Sequence, residues 1–273
     1  MVYSLAVFPD GALASGSNDS SIKIWNTTTG QLLKTLNKHS DAVYSLAVLK
    51  DGLLASSSGD LTIKIWDTLN GQVIRTLSGH KGTIYSLAIL LDGSIASGSA
   101  DNLIKVWNPT TGQLLKTLSG HSSWVYCLAV FPDGRLASGS ADKTIKIWNG
   151  NQVLLRTLIG HIRYVSSLVV LPDNTLASGS SDNTIIIWDT NDGNILHTLY
   201  GHTSTVFSLA IVSENMLASS SADKSIRIWN ISTRRDIKII KSQESFVYSF
   251  PLAVLPQKEN LASASSEICI WQI

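Results

Sequence analysis

The sequence predicts an all-β fold built from seven repeats of one structural unit. Tryptophan returns at a nearly constant interval, an alternating apolar segment ends at each of these tryptophans, and turn residues separate the short apolar runs. Such self-similarity is typical of repeat architectures. The intervals are 41, 41, 41, 40, 41 and 42 residues, between Trp25, Trp66, Trp107, Trp148, Trp188, Trp229 and Trp271.

One period contains four strand-like runs. Between residues 80 and 118 these runs cover residues 84–89, 94–97, 103–107 and 113–118, and turns such as Asp92-Gly93 separate them. Runs of this length, rich in β-branched residues and bounded by Asp-Gly or Thr-Gly, indicate strands. Four antiparallel strands at this period form blades that stack radially. We therefore expect residues 1–273 to form a single domain, a seven-bladed β-propeller of four-stranded antiparallel blades.

Composition limits the classes of function. Charged residues make up only 15% and hydrophobic residues 44%, which indicates extensive burial. The net charge of +1 argues against non-specific binding to nucleic acid or anionic membranes. Apolar runs are far shorter than the roughly 20 residues that span a bilayer, so no membrane insertion is expected. Cys127 and Cys269 lie in apolar runs and are predicted as buried thiols, and a cytoplasmic or nuclear location follows as the default.

The order of motifs within each repeat resembles the WD-repeat family. A Gly-His pair, a strand, Leu-Ala-Ser, an Asp and Ile-Lys-Ile-Trp followed by Asp or Asn occur in this order, and the resemblance covers essentially the whole chain. Five histidines lie 27 residues before their tryptophans, at positions His39, His80, His121, His161 and His202. The resemblance implies the propeller fold and a use in protein binding.

Histidine, serine and aspartate recur in register, as in His80, Ser97 and Asp101. These are the residue types of a hydrolase triad, but an active site is needed once and a structural contact in every blade. The resemblance implies a hydrogen-bonded chain from Trp through Ser and His to Asp. Besides the tryptophans and histidines already named, its members include Ser56, Asp60, Ser138, Asp142, Ser178, Asp182, Ser219 and Asp223.

Blade seven departs from the pattern. Gln243 stands at the histidine position, the turn before Trp271 is shorter, and Phe250-Pro251 suggests a bulge, so we expect this blade to be the least well fastened. Its outer strand is also missing from the sequence. Either preceding residues of a longer protein supply that strand, or blade seven has three strands. Both interpretations leave the edge at residues 267–273 open to strand addition by a partner.

Aromatic residues recur where each innermost strand begins. One series contains Tyr3, Tyr44, Tyr85, Tyr126, Phe207 and Tyr248, with Ser166 in blade five. The position two residues earlier carries Ala42, Thr83, Trp124, Tyr164, Thr205 and Phe246. The resemblance implies that both positions lie on the narrower face around the central channel, where such propellers hold peptides, and Trp and Tyr are favoured interface residues. The alternative is that the tyrosines are packing residues copied by duplication.

Basic residues recur on the two outer strands of the blades. We interpret them as a solvated flank, with a nucleic-acid or phospholipid surface as the alternative. They are Lys23, Lys64, Lys105, Lys146 and Arg227 on third strands, and Lys34, Arg75, Lys116 and Arg156 on fourth strands.

Three classes of function follow. The first is a scaffold or recognition module that binds proteins or peptides. The second is the recognition arm of a larger enzyme, such as a ubiquitin ligase or an NTPase. The third, an enzyme with a site in the channel, lacks support because the sequence has no metal motif, phosphate loop or isolated acid–base pair. We therefore expect no catalysis, no cofactor, no small-molecule substrate and no nucleic-acid partner.

Overall fold

A computed structural model describes residues 1–241, 251–255, 260–265 and 267–272. Its strands form seven antiparallel sheets, which confirms the all-β, seven-bladed prediction. Blade one contains β1 (Val2–Val7), β2 (Leu13–Ser17), β3 (Ile22–Trp25) and β4 (Leu32–Leu36). Blade two contains β5 (Val43–Val48), β6 (Leu54–Ser58), β7 (Thr62–Asp67) and β8 (Gln72–Ser78). Blade three contains β9 (Ile84–Ile89), β10 (Ile95–Ser99), β11 (Ile104–Trp107) and β12 (Leu114–Leu118).

The remaining blades repeat this order. Blade four contains β13 (Val125–Val130), β14 (Leu136–Ser140), β15 (Thr144–Trp148) and β16 (Leu154–Ile159). Blade five contains β17 (Val165–Val170), β18 (Leu176–Ser180), β19 (Ile185–Trp188) and β20 (Ile195–Leu199). Blade six contains β21 (Val206–Ser213), β22 (Met216–Ser221), β23 (Ser225–Asn230) and β24 (Arg235–Lys241). Blade seven has three strands in the described residues, as predicted: β25 (Leu252–Leu255), β26 (Asn260–Ala264) and β27 (Ile268–Gln272).

The first strands of successive blades contact one another in a closed ring, in which β25 of blade seven also contacts β1. Apolar clusters fill the spaces between blades. One cluster joins Ile63 and Leu77 of blade two to Ile84 and Trp107 of blade three, and all four side chains are almost fully buried. Neighbouring blades thus bury the faces that a single sheet would expose.

A chain of hydrogen bonds crosses each of blades two to six. In blade three, the indole Nε1–H of Trp107 donates to Ser97 Oγ over 2.9 Å, and Ser97 Oγ lies 2.7 Å from His80 Nε2. His80 Nδ1 lies 2.8 Å from Asp101 Oδ2, an acceptor, so Nδ1 carries the proton and Nε2 accepts from serine. Every polar atom along this buried path therefore has a partner.

The same connections recur with nearly constant distances. His Nε2 to Ser Oγ is 2.7 or 2.8 Å in all five blades, in the sets His39/Ser56, His80/Ser97, His121/Ser138, His161/Ser178 and His202/Ser219. His Nδ1 to Asp Oδ2 is also 2.7 or 2.8 Å, at Asp60, Asp101, Asp142, Asp182 and Asp223. In blade seven, Trp271 Nε1 donates to Ser263 Oγ over 2.8 Å, while Gln243 and Phe250 lie outside the described residues.

Basic side chains on the fourth strands bind the next blade, which differs from the predicted solvated flank. Each donates to backbone carbonyls in the turn between the neighbour's third and fourth strands, as from Lys34 to Thr68 (3.0 Å), Arg75 to Thr111 (3.1 Å) and Arg156 to Asp192 (2.7 Å). On the third strands, Lys105 and Lys146 are buried against threonines. These cations connect parts of the ring because their long side chains reach acceptors that strand periodicity does not reveal.

The two cysteines differ in burial. Cys127 is buried in the cluster between blades four and five, as predicted. Cys269 is exposed, so the prediction of a second buried thiol is wrong. It lies on β27, which in the described part of the chain has a paired strand on one side only.

Burial and hydrogen bonding set the charge states in these chains. Burial lowers the pKa of His39 and His80 below 6.5 and outweighs the opposing effect of their aspartates. Burial alone would raise the pKa of Asp60, but hydrogen bonds from Thr62 and His39 lower it below 3.8. In blades two and three, the folded state therefore favours neutral His39 and His80 beside ionised aspartates.

The matched aspartates of blades three and one provide a stability test. Asp101→Asn places an amide where the carboxylate accepts from His80 Nδ1 and the Lys81 backbone, and we expect a loss of about 2–4 kcal/mol in the free energy of unfolding. Asp19→Asn retains an oxygen that can accept the hydrogen bonds from Ser21, the main partner of Asp19. We therefore expect it to lower the free energy of unfolding by less than about 1 kcal/mol. Urea unfolding followed by tryptophan fluorescence measures both, and equal losses would contradict the assigned role of histidine.

Stability is expected to fall on acidification. A histidine with a lowered folded pKa contributes stability that is complete above the ordinary pKa of 6.5 and is lost as pH falls through the folded value. The pKa values of Asp60 and Asp101 are also lowered in the folded state, so these aspartates lose their contribution to stability as the pH falls below their ordinary pKa of 3.8. Urea midpoints should therefore decrease from about pH 7.5 to pH 5 and again below about pH 4. A urea midpoint that increases as the pH is lowered from 7.5 to 5 would contradict these pKa shifts.

Candidate partner-binding site

The tyrosines at the start of the innermost strands lie in β-bulges. In blade three, Ile84 pairs with Ser99 and Ser86 pairs with Gly98, so Tyr85 is the extra residue between them. The register shifts at the same place in each of blades one to six. A bulge bends the strand and redirects the side chain of the extra residue. The repeated bulge thus aims one side chain per blade away from the inter-blade core.

Aromatic rings from neighbouring blades contact one another in an uninterrupted series. Ring centroids lie 5.0 Å apart for Tyr3 and Tyr44, 5.2 Å for Tyr44 and Tyr85, 5.0 Å for Tyr85 and Tyr126, and 5.3 Å for Tyr126 and Tyr164. We call these five rings together with Trp124 the aromatic arc. Separations in this range are those of favourable aromatic pairs.

Trp124 extends the aromatic arc toward solvent. Its ring is 6.0 Å from Tyr85 and 6.1 Å from Tyr126, and 46% of its surface is exposed. Its carbonyl accepts from the Ala141 backbone over 2.8 Å, which ties the loop to the turn of blade four. The out-of-phase tryptophan of the sequence is therefore an exposed ring held in place by its neighbours.

Blade five carries its ring on the earlier position of the loop. Ser166 takes the place of the tyrosine, and its hydroxyl lies within hydrogen-bond distance of two carbonyl acceptors, those of Val206 and Gly179. Tyr164, two residues earlier, instead contacts Tyr126. Phe207 occupies the bulge of blade six and is half-buried. The remaining predicted binding residues, Phe246 and Tyr248, lie outside the described residues.

Burial raises the pKa of four phenols of the aromatic arc, which are therefore neutral at physiological pH: those of Tyr3, Tyr44, Tyr85 and Tyr126. Burial raises the pKa of Tyr126 to about 12, and its neighbours Tyr85 and Tyr164 add to the shift. Burial and the charge of Asp41 raise the pKa of Tyr3, and burial with several neighbours raises that of Tyr44. Tyr3 Oη donates to Asn18 Oδ1 over 3.0 Å. The surface is therefore apolar with uncharged hydroxyl groups at its edge.

In five of the six bulged blades, a serine beside the bulge links neighbouring blades, which the sequence analysis missed; blade four has Cys127 at this position. The backbone N–H of Leu46 donates to Ser4 Oγ over 3.0 Å, and that of Leu87 donates to Ser45 Oγ over 3.1 Å. Equivalent bonds of 3.0–3.2 Å reach Ser86, Ser167 and Ser208. The signal was available, because serine follows the aromatic position in register. These bonds hold the inner strands that carry the aromatic arc.

The histidine–serine–aspartate sets have triad-like distances but no access for a substrate. Ser97 is fully buried, and its hydroxyl already accepts from Trp107 and contacts His80. A nucleophile must reach a reacting carbonyl, which this packing prevents. Among the described residues, no group of three or more histidine, cysteine or acidic side chains could hold a metal ion. Within the same part of the chain, no helix is long and apolar enough to cross a membrane.

Comparison with known proteins agrees with this architecture. The family model of the WD domain, G-beta repeat, matches six segments, at residues 1–26, 30–67, 71–108, 112–149, 152–189 and 193–230. A comparison with curated proteins finds no significant match. The six matched segments together span well over half of the sequence. Each ends one residue after the tryptophan of a third strand, and each segment after the first begins just before the fourth strand of the preceding blade. The chain therefore belongs to the WD domain, G-beta repeat family.

Proposed function

We propose that the aromatic arc is the docking site of a protein or peptide partner. The fold is one that is commonly used for protein–protein interaction. The single observation that carries the proposal is Trp124, which is 46% exposed yet contacts both Tyr85 and Tyr126. A large exposed apolar ring in fixed geometry is the kind of residue that dominates binding energy at interfaces.

Preorganisation supports this assignment. Binding loses affinity when loops and side chains must be ordered, and each rigid aromatic side chain avoids part of that loss. Here the loop before blade four is tied down twice, because Asp142 Oδ2 accepts from the Ser122 backbone over 3.0 Å and Ala141 donates to the Trp124 carbonyl. The ring is therefore presented in one conformation before a partner arrives.

The chemistry of the aromatic arc indicates the kind of segment it would hold. Its rings offer apolar faces, and the neutral phenol and indole groups can donate hydrogen bonds to backbone carbonyls. A segment with one or two apolar or aromatic side chains and accessible carbonyls fits this surface. The Asp41 carboxylate, beside Tyr3 and Tyr44, adds a negative charge at one end.

Display selection of peptides on the folded chain, followed by calorimetric titration, tests the proposal. We expect Tyr85→Ala/Trp124→Ala/Tyr126→Ala to weaken selected peptides by about 100-fold or more, because truncation of a central aromatic typically costs about 2 kcal/mol or more. Trp124→Ala alone should weaken them by about tenfold or more, with no change in circular dichroism.

The matched control changes equally apolar residues elsewhere. Leu33→Ala/Leu115→Ala/Leu155→Ala removes exposed side chains on three outer strands and should leave affinity within about threefold. Selected peptides that bind the aromatic variant with undiminished affinity would place the docking surface elsewhere.

A further inference from the structure

A cavity of about 470 Å³ lies between blades five and six, at the ends of the inner strands that are opposite to the aromatic arc. Leu171, Ile187 and Leu196 give it apolar walls, and the exposed residues Asp173 and Glu214 add two carboxylates to its lining. Its volume lies in the range of ligand sites, about 300–1,000 Å³. Among the residues that line it, two are acidic and none is lysine or arginine.

The equivalent cavity between blades two and three contains a cation from the chain itself. It is smaller, at about 280 Å³, and Lys50 is part of its lining. The ammonium group of Lys50 donates to the Leu91 carbonyl of blade three over 2.7 Å. Hydrogen bonds from Ser94 lower the pKa of Asp92, and the charge of Lys50 adds to this effect. The cation thus lies close enough to the acidic lining to stabilise its ionised form.

The cavity between blades five and six keeps the acidic positions and lacks this cation. Corresponding residues of the two cavities lie at equal distances from the tryptophans of their blades. The corresponding pairs are Lys50/Pro172, Asp51/Asp173 and Asp92/Glu214. Proline therefore stands where the smaller cavity has its ammonium group, so the carboxylates of the larger cavity have no cation at this position.

The basic side chain of the fourth strand is also replaced at this interface. His197 stands at the position of Arg75 and Arg156, which bind carbonyls in the turn of the next blade. Burial and the charge of Arg234 lower the pKa of His197, so its imidazole is mainly neutral at physiological pH. Neither of the two cations that cross the interface between blades two and three thus has a charged counterpart in blade five.

The turn of blade six gives a steric reason for the histidine. Gly112, in the turn of blade three, has φ +80°, and a Cβ there would lie only 2.9 Å from Cδ of Arg75. Arg234 occupies the same turn position in blade six with φ 64°, and it carries this Cβ. A long basic side chain from blade five would therefore collide with Arg234, whereas the shorter His197 avoids it.

Arg156 shows how an arginine binds such a turn. Its two terminal nitrogens donate to the carbonyls of Asp192 and Asn191, over 2.7 and 2.6 Å. A guanidinium presents five donors in one plane, which suits several acceptors at once. Ser232 lines the cavity at the turn position of Asn191. Among the hydrogen bonds of the described residues, no lysine or arginine side chain donates to the Ser232 carbonyl.

We propose that this cavity binds an arginine side chain of a partner polypeptide. The aliphatic carbons of the arginine pack against Leu171 and Leu196, and its guanidinium lies between the turn of blade six and the carboxylates of Asp173 and Glu214. The partner thereby supplies the cation that the chain itself supplies between blades two and three. The site is distinct from the aromatic arc and does not depend on the function proposed for it.

The probe is the peptide Gly-Ser-Ala-Arg-Ala-Ser-Gly, blocked at both ends, and amide NMR spectra of the full chain follow its binding. We expect saturable shifts centred on blades five and six, with a dissociation constant below about 1 mM. The peptide with lysine in place of arginine should bind about threefold more weakly, because an ammonium group lacks the planar set of donors. The peptide with alanine should bind at least about tenfold more weakly.

A lysine substitution tests whether the missing cation defines the site. Pro172→Lys places an ammonium group where Lys50 stands in the smaller cavity, and it should weaken the arginine peptide by about tenfold or more. Pro132→Lys makes the same change at the equivalent exposed turn position of blade four and should leave the affinity unchanged. Circular dichroism verifies that each variant folds.

Removal of the carboxylates tests the charge of the site. Asp173→Asn/Glu214→Gln should weaken the arginine peptide by about tenfold. Asp51→Asn/Asp92→Asn changes the net charge equally in the smaller cavity and should leave the affinity within about twofold. Loss of affinity in the first variant alone therefore separates the local contact from general attraction to an acidic surface.

The proposal is overturned if the arginine peptide shows no saturable binding or if the alanine peptide binds equally well. Equal losses in Pro172→Lys and Pro132→Lys would also overturn it, as would shifts centred on the aromatic arc. A lysine peptide that binds as tightly as the arginine peptide would contradict the choice of arginine.

Discussion

The structure depends on one constraint: each blade has two apolar faces and cannot bury either face alone. The second strands show it most clearly, because every residue of β2, β6, β10, β14 and β18 is buried. Burial therefore requires a neighbour on both sides, and only a ring gives every blade two neighbours. The apolar cluster between blades seven and one is the smallest in the described residues, with three buried members against nine between blades one and two.

The same constraint explains the hydrogen-bonded chains. A tryptophan that packs between blades brings a polar Nε1–H into the interior, and an unpaired buried donor would cost about 1–3 kcal/mol. Serine, histidine and aspartate continue the pairing until it reaches the loop that enters the blade. In blade four, that loop also carries Trp124 of the aromatic arc, which follows His121 by three residues. The interaction that stabilises blade four thus also fixes the orientation of its most exposed ring.

Periodicity was sufficient to predict the blades and the three-stranded last blade, and the resemblance to the WD-repeat family supplied the residues that share each hydrogen-bonded chain. It could not predict the bulges, because a bulge is a mismatch in residue count between two strands and leaves no mark on either strand alone. It also missed the basic side chains of the fourth strands, such as Arg75, whose acceptors are backbone carbonyls of the next blade. For the same reason, Ser45 was overlooked as a link between blades although it recurs in register.

Positions whose side chain differs from blade to blade therefore carry the most information that is specific to this protein. Where packing dictates the residue, the blades nearly agree, as at the buried Leu-Ala-Ser of the second strands, in which only blade three has isoleucine, Ile95, in place of leucine. The loop position before the bulge instead holds Ala42 at 3% exposure and Trp124 at 46%, so core packing does not determine its side chain. Blade five shows the same freedom, because Tyr164 supplies the ring that Ser166 lacks. An uninterrupted series of rings is thus assembled from non-equivalent positions, which simple copying of one packing residue does not explain.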